Sequence, residues 1–253
     1  MKDLNGKNIW LIGASSGIGE ALAKELAMQG ANLALSARRE KELDKVKKSL
    51  QGNKNISLPL DVSNLDELKK AASKLKNDWG QIDSVITLAA IYYPEKIQKL
   101  EAEKTAKLIE INLTSNFYLC EAVLPILTKQ KEGQIVFCGS VAGYVGLPKG
   151  QPYCATKAGV ISLAESLKIE LAEDHPKIDV KVICPGFVKT PMTDKNNFKM
   201  PMVIEAEEAA KAIAKGLKSK KFEIHFPRKF TNIMKLLEIM PYRLYFWLSK
   251  KLI

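Results

Sequence analysis

Short apolar runs alternate along the chain with longer stretches in which apolar side chains recur every three or four residues. The short runs, at 8–12, 32–36, 56–60, 84–89, 134–138, 179–184 and 222–226, predict strands. The longer ones, at 20–29, 41–50, 65–79, 102–127, 153–173 and 205–217, predict amphipathic helices. Strands that take turns with helices imply a parallel sheet covered on both faces. The expected fold class is therefore α/β: a Rossmann-type, doubly wound parallel sheet flanked by helices in three layers. No internal repeat, low-complexity linker or break in composition divides the chain, so residues 1–253 are expected to form a single domain. A chain of 253 residues, 46% of them hydrophobic, can bury one large core.

Composition narrows the class. No run of eighteen apolar residues predicts a transmembrane helix, and the polar segment 1–7 is unlike a secretory signal, so a cytoplasmic location is expected. Cys120, Cys138, Cys154 and Cys184 contain no CxxC pair, and only His175 and His225 could join them, so no metal site and reduced thiols are expected. The net charge of +11 comes from lysines spread along the polar faces of predicted helices. That distribution reads as a solvated basic surface, and no nucleic-acid partner is expected.

Chemistry enters at the first turn. Gly13-Ala14-Ser15-Ser16-Gly17-Ile18-Gly19 stands between a predicted strand and a predicted helix. Glycines there let the backbone approach a pyrophosphate, and the helix N-terminus offers free N–H groups and a positive dipole end. Glycines also mark ordinary turns, so the strand-turn-helix context carries the reading of Gly13, Ser15, Ser16, Gly17, Ile18 and Gly19 as cofactor-binding. The second predicted strand ends in Ser36-Ala37-Arg38-Arg39, without the carboxylate that would bond the ribose hydroxyls of NAD. Read alone, two arginines are a solvated basic turn; beside a phosphate loop they suit a 2′-phosphate, which favours NADP(H).

Tyr153 and Lys157 lie four residues apart at the start of a predicted helix, on one face. A nearby ammonium is expected to lower the phenol pKa and let the pair exchange a proton near neutral pH. Such pairs also arise by chance on any helix. Ser140 follows the strand 134–138, at the sheet edge where ligands bind, and its hydroxyl could bond a reacting oxygen; taken alone it reads first as a turn residue.

The set Gly13-x3-Gly17-x-Gly19, Asn112, Ser140, Tyr153-x3-Lys157 and Pro185-Gly186, in this order, resembles the single-domain short-chain dehydrogenase/reductase family over residues 4–190. The resemblance implies that Tyr153 is the acid/base, that Lys157 bonds the nicotinamide ribose and tunes Tyr153, and that Ser140 positions the carbonyl. It implies that Asn112 holds a helix distortion and a water of the proton relay, and that Asp61 and Val62 meet the adenine. Pro185, Gly186, Val188 and Thr190 would line the nicotinamide. Hydride then moves between NADP(H) and a small-molecule carbonyl or secondary alcohol without a metal. One segment departs from the pattern: Thr87-Leu88-Ala89-Ala90 stands where the family carries Asn-Asn-Ala-Gly. Ala89 still allows close approach of the cofactor, and nucleotide binding is expected to persist. The resemblance also implies a homodimer or homotetramer through the helices at 102–127 and 153–173.

Residues 191–217 are expected to supply a flap and helix over the substrate. Met192, Phe198, Met200, Met202 and Val203 form an adaptable apolar set, which also reads as core packing. Tyr92, Tyr93 and Tyr144 read equally as pocket walls and as surface aromatic residues, and the substrate is expected to be apolar. The extension 228–253 mixes aromatic, leucine and basic residues, and Pro241 should split it into two short helices. It reads as peripheral contact with a membrane surface or as packing on the pocket or on a second subunit. Acyl-carrier-protein ketoreductases of the family end soon after the last strand, so the extension argues against that substrate. The alternative to an enzyme is a non-catalytic nucleotide-binding or membrane-surface scaffold on the same fold, against which the joint presence of Asn112, Ser140, Tyr153 and Lys157 argues.

Overall fold

Every predicted strand forms. In a computed structural model that describes residues 1–52, 54–196 and 200–250, β1 (Asn8–Ile12) pairs in parallel with both β2 (Asn32–Ser36) and β4 (Ser84–Thr87). Beyond β2 lies β3 (Ile56–Ser57), and beyond β4 follow β5 (Gly133–Cys138), β6 (Ile178–Pro185) and β7 (Glu223–Phe226). The sheet runs β3-β2-β1-β4-β5-β6-β7. Its order reverses between β1 and β4, which is where such sheets bind ligands.

The period-two alternation of side chains divides the core into two layers. Trp10, Ile12, Val85, Ile135 and Phe137 pack on one face against α3 (Leu65–Trp79), α5 (Ser115–Gln130) and α6 (Gln151–Asp174). Ile9, Leu11, Leu33, Val136 and Ile183 pack on the other against α1 (Gly17–Met28), α2 (Glu40–Ser49) and α7 (Ala206–Leu217). With both faces buried, the strands need no polar alternation, so they read as continuous apolar runs. The three-layer, single-domain expectation holds.

The structure differs from the sequence reading in two places that bear on the site. The strand expected at 56–60 is cut to Ile56–Ser57, although Leu58 and Leu60 still donate to the carbonyls of Leu35 and Ala37 at 2.8 and 3.2 Å. The helix expected at 102–127 is interrupted. It runs as α4 (Ala102–Ile109), then a π-helical turn over Glu110–Thr114, then α5. Beyond β7, the cut at Pro241 yields α8 (Arg228–Glu238) and α9 (Tyr242–Lys250). Among the described residues no helix is long and apolar enough to cross a membrane.

Candidate active site

The turn after β1 is held under backbone tension that only glycine satisfies. Gly13 has φ +87°, and a Cβ there would sit 2.6 Å from the Ala89 nitrogen and 2.8 Å from the Leu88 carbonyl carbon. At Gly19 a Cβ would lie 2.1 Å from the Gly13 oxygen, so α1 and the turn pack in direct contact. Ser16 is the N-cap of α1 but makes no side-chain cap bond, which leaves first-turn N–H groups for an anion. The Arg39 guanidinium donates to Ser15 Oγ at 3.2 Å and Ser16 Oγ at 3.0 Å, and so hangs over the same loop. A tight glycine cradle, an uncapped helix start and an exposed guanidinium fit a dinucleotide phosphate. Gly13→Ala is expected to cost about 3 kcal/mol through positive φ and overpacking against backbone that has no room to yield. A thermal-unfolding scan should then read a midpoint roughly 6–12 °C lower; an unchanged midpoint would show that the turn relaxes freely.

The other proposed nucleotide contacts follow the ends of β3 and β6. Asp61 sits just past the β3 edge, where Ser63 donates to its carboxylate through both backbone and hydroxyl. Burial works against its ionisation, but the Ser63 hydrogen bonds and the Arg38 and Lys107 charges prevail and hold the carboxyl below its ordinary range. Val62 and Val188 are buried. Thr190 lies against the loop, since a Cβ on Gly17 would meet its methyl group at 3.1 Å. Pro185 ends β6, and the Gly186 N–H donates to the Phe226 carbonyl at 2.7 Å. The departure at Thr87-Leu88-Ala89-Ala90 leaves the strand exit intact: Leu88 still donates to the Ile12 carbonyl at 2.8 Å.

Three side chains gather past the end of β5, on the same edge of the sheet as the cradle. Ser140 follows β5 in extended backbone, nearly buried, with its hydroxyl accepting from the Ala142 N–H at 3.1 Å. Tyr153 and Lys157 lie one turn apart in the first turns of α6. Lys157 is 2% exposed, and its ammonium donates to the Cys138 carbonyl at 2.7 Å and stands 5.5 Å from the centre of the Tyr153 ring. One expectation is corrected here. The lysine was expected to lower the phenol pKa, but burial dominates and pushes Tyr153 up, only partly opposed by a hydrogen bond with Ser140. Burial likewise lowers Lys157, partly opposed by the Cys138 and Cys184 thiols.

Asn112 lies in the π-helical turn, the helix distortion expected of it. Both ends of its side chain are bonded to Ile91: Oδ1 accepts from the Ile91 N–H and Nδ2 donates to the Ile91 carbonyl, each at 2.8 Å. The next residue, Tyr92, packs edge-on against Tyr153 with ring centres 4.9 Å apart. The Asn112 amide thus reaches Tyr153 through a two-residue strap. Nothing in the sequence pattern marks Ile91 or Cys138 as partners, because both act through main-chain atoms.

The candidate pocket walls separate. Tyr92 lines the site, Tyr93 is 41% exposed, and Tyr144 turns away, its hydroxyl bonded to Glu223, which also pairs with Lys235. Tyr144 therefore belongs to a different groove of 520 Å³, shared with Ile161, Phe222 and Leu236. In the expected flap, Met192 and Met200 are half-buried and Met202 and Val203 are exposed; Phe198 lies outside the described residues. The inner side of the C-terminal extension packs on its own domain. Phe230 and Met234 are buried, the Phe230 ring meets Phe187 at 5.3 Å, and the Tyr245 hydroxyl donates to the Gly146 carbonyl.

Comparison with known proteins agrees with this geometry. The short chain dehydrogenase family model matches residues 7–201. The 3-oxoacyl-[acyl-carrier-protein] reductase of Haemophilus influenzae is 33% identical over 221 residues, 83% of this chain and 90% of that protein. In fold, the chain is similar to a short chain dehydrogenase/reductase of Burkholderia phymatum in complex with NAD, with a TM-score of 0.86 at 23% identity over 93% of this chain and 94% of that one. It is also similar to a short chain dehydrogenase of Burkholderia cenocepacia in complex with NADP, with a TM-score of 0.83 at 24% identity over 96% and 97% of the two chains.

Proposed function

The chain belongs to the short chain dehydrogenase family of oxidoreductases, and from that premise we propose that it is an NADP(H)-dependent enzyme interconverting a carbonyl and a secondary alcohol on an apolar small molecule. The observation that carries the reading is the grouping of Ser140, Tyr153 and Lys157 past the end of β5, on the same carboxyl edge of the sheet as the Gly13–Gly19 turn. Solved neighbours hold either NAD or NADP, so the choice of NADP(H) rests on Arg38 and Arg39 and on the absence of a carboxylate at the end of β2. When bound, the dinucleotide supplies or accepts the hydride.

The chain's own residues do the rest. Ser140 holds the substrate oxygen, and Tyr153 gives it a proton in reduction or takes one in oxidation. Lys157, its pKa lowered by burial, spans from the Cys138 carbonyl toward the ribose side and keeps the start of α6 against β5. Asn112 is a positioning residue, holding Ile91 and hence the Tyr92 ring against Tyr153. The dinucleotide contacts are Gly13, Ser15, Ser16, Gly17, Ile18, Gly19, Arg38, Arg39, Asp61, Val62, Ala89, Pro185, Gly186, Val188 and Thr190, with Tyr153 and Lys157 on the ribose side. The segments 191–196 and 200–217 lie over the substrate, and Met192 and Met200 give them an adaptable apolar lining. Exposed Ile109 and Phe117 on α4 and α5, with Ile169 on α6, support association of two copies through those helices.

NADPH oxidation measured against a panel of aldehydes, ketones, steroids and 3-oxoacyl thioesters tests the reading, and its pH dependence carries a second expectation. Burial raises the Tyr153 pKa above the ordinary 10.0, so the proton-bearing form needed for carbonyl reduction persists through neutral and mildly alkaline pH. Reduction should stay level from about pH 6 to about pH 9, while alcohol oxidation, which needs the phenolate, should rise roughly tenfold per pH unit. A fall in reduction with a midpoint near pH 7 would mean that the phenol is acidified instead. No NADPH turnover with any carbonyl would remove the proposal.

A further inference from the structure

We propose that the outer face of α8 and α9 is a docking surface for an anionic lipid bilayer. The starting observation is where large apolar side chains remain in water. Among the described residues, seven of the fifteen exposed large hydrophobics fall between Ile233 and Trp247. They are Ile233, Leu236, Ile239, Tyr242, Leu244, Phe246 and Trp247, with Ile239 and Tyr242 at 78% and 77% exposure. Scattered apolar side chains on a surface are ordinary, but a cluster of this density marks a place of contact.

The face is presented by a fixed support. On α8, Phe230, Thr231 and Met234 are buried, which turns Ile233 and Leu236 outward. On α9, Tyr245 is tied inward to the Gly146 carbonyl, and this rotates Tyr242, Phe246 and Trp247 away from the domain. Tyr242 and Phe246, one turn apart, stack with ring centres 5.8 Å apart and planes inclined by 15°, forming an aromatic ridge. Two short amphipathic helices with aromatic and leucine side chains outward are suited to lie in the headgroup region of a bilayer.

Charge selects the partner. Among the described residues of α8 and α9, Arg228, Lys229 and Arg243 are exposed against one exposed carboxylate, Glu238, while Lys235 is paired inward with Glu223. A second copy of the same face would bring those cations together, which like charges oppose. An anionic lipid surface meets them with opposite charge, and each basic side chain near it adds to the binding. The Gly146 contact also sets α9 beside the loop between Ser140 and Tyr153. On the oxidoreductase reading, docking would bring the substrate side of the site to the bilayer, where apolar carbonyl compounds dissolve.

Co-sedimentation of the full chain with vesicles tests this without any turnover assay. Binding to equimolar phosphatidylcholine and phosphatidylglycerol should exceed binding to phosphatidylcholine alone by about tenfold and weaken as salt rises. Trp10 is buried and Trp79 half-buried, so a blue shift of tryptophan emission on anionic vesicles would report Trp247. Phe246→Ser with Trp247→Ser, and separately Arg243→Glu, should each lower binding about tenfold while NADPH oxidation with a water-soluble carbonyl stays unchanged. Tyr153→Phe should bind vesicles like the parent chain, which separates failure here from failure of the enzyme reading. The proposal is overturned if neither vesicle binds, if both variants leave binding unchanged, or if light scattering shows that Phe246→Ser with Trp247→Ser halves the oligomer, which would assign the face to a second copy.

Discussion

Replacing Tyr153 with phenylalanine is expected to slow carbonyl reduction by about 10²–10⁴-fold, the usual worth of a placed general acid. The substitution removes one hydroxyl and little else. The ring that packs on Tyr92 at 4.9 Å is retained, and Lys157 keeps its bond to the Cys138 carbonyl, so the start of α6 should hold its position. NADPH affinity, followed by the quenching or enhancement of nucleotide fluorescence, should change by no more than about threefold, because the phosphate cradle does not involve the phenol. A variant that keeps turnover within about tenfold of the parent would assign the proton to another group. Loss of nucleotide binding along with turnover would instead give Tyr153 a structural part in the cleft.

The second large effect is expected at the adenosine end. Arg38→Ala combined with Arg39→Ala should raise the KM for NADPH by on the order of 10²-fold, or about 2.7 kcal/mol for two guanidinium contacts to a 2′-phosphate. NADH, which has no such phosphate, should be used as well as before. The estimate is set below the full strength of charge-assisted hydrogen bonds because both side chains are exposed and share their field with water and salt. The KM for NADPH in the parent should accordingly climb with ionic strength, and that dependence should be largely lost in the double variant. Equal losses for NADPH and NADH would place the arginines on the pyrophosphate, where Arg39 already reaches Ser15 and Ser16.

These expectations draw on features of differing legibility. The strands at 8–12 and 32–36 are legible to the residue, and the glycine turn, Ser140 and the Tyr153–Lys157 spacing stand in the chain itself. Each carries its signal locally, in a run of apolar residues or a fixed spacing. The break of 102–127 into α4, a π-turn and α5 was not legible as a boundary, since the residues on either side are all acceptable in a helix. The extra residue is accommodated where the Asn112 side chain bonds across to Ile91, twenty-one positions away. The direction of the Tyr153 pKa shift was misread for a related reason. Spacing reports that an ammonium is one turn away, but not how deeply both groups are buried or that the ammonium is spent on a carbonyl.

The order of polar and apolar positions by itself determined that this chain makes a parallel sheet clad in helices, because burial on both faces and helical periodicity are properties of consecutive residues. It also determined which residue types stand at each strand end. Only the tertiary structure decided which strand ends become neighbours, which main-chain groups hold Lys157 and Asn112, and which side of α8 and α9 is left in water. Those outcomes depend on contacts between segments far apart in the chain, and on the loss of water around each group, neither of which is written in any local pattern.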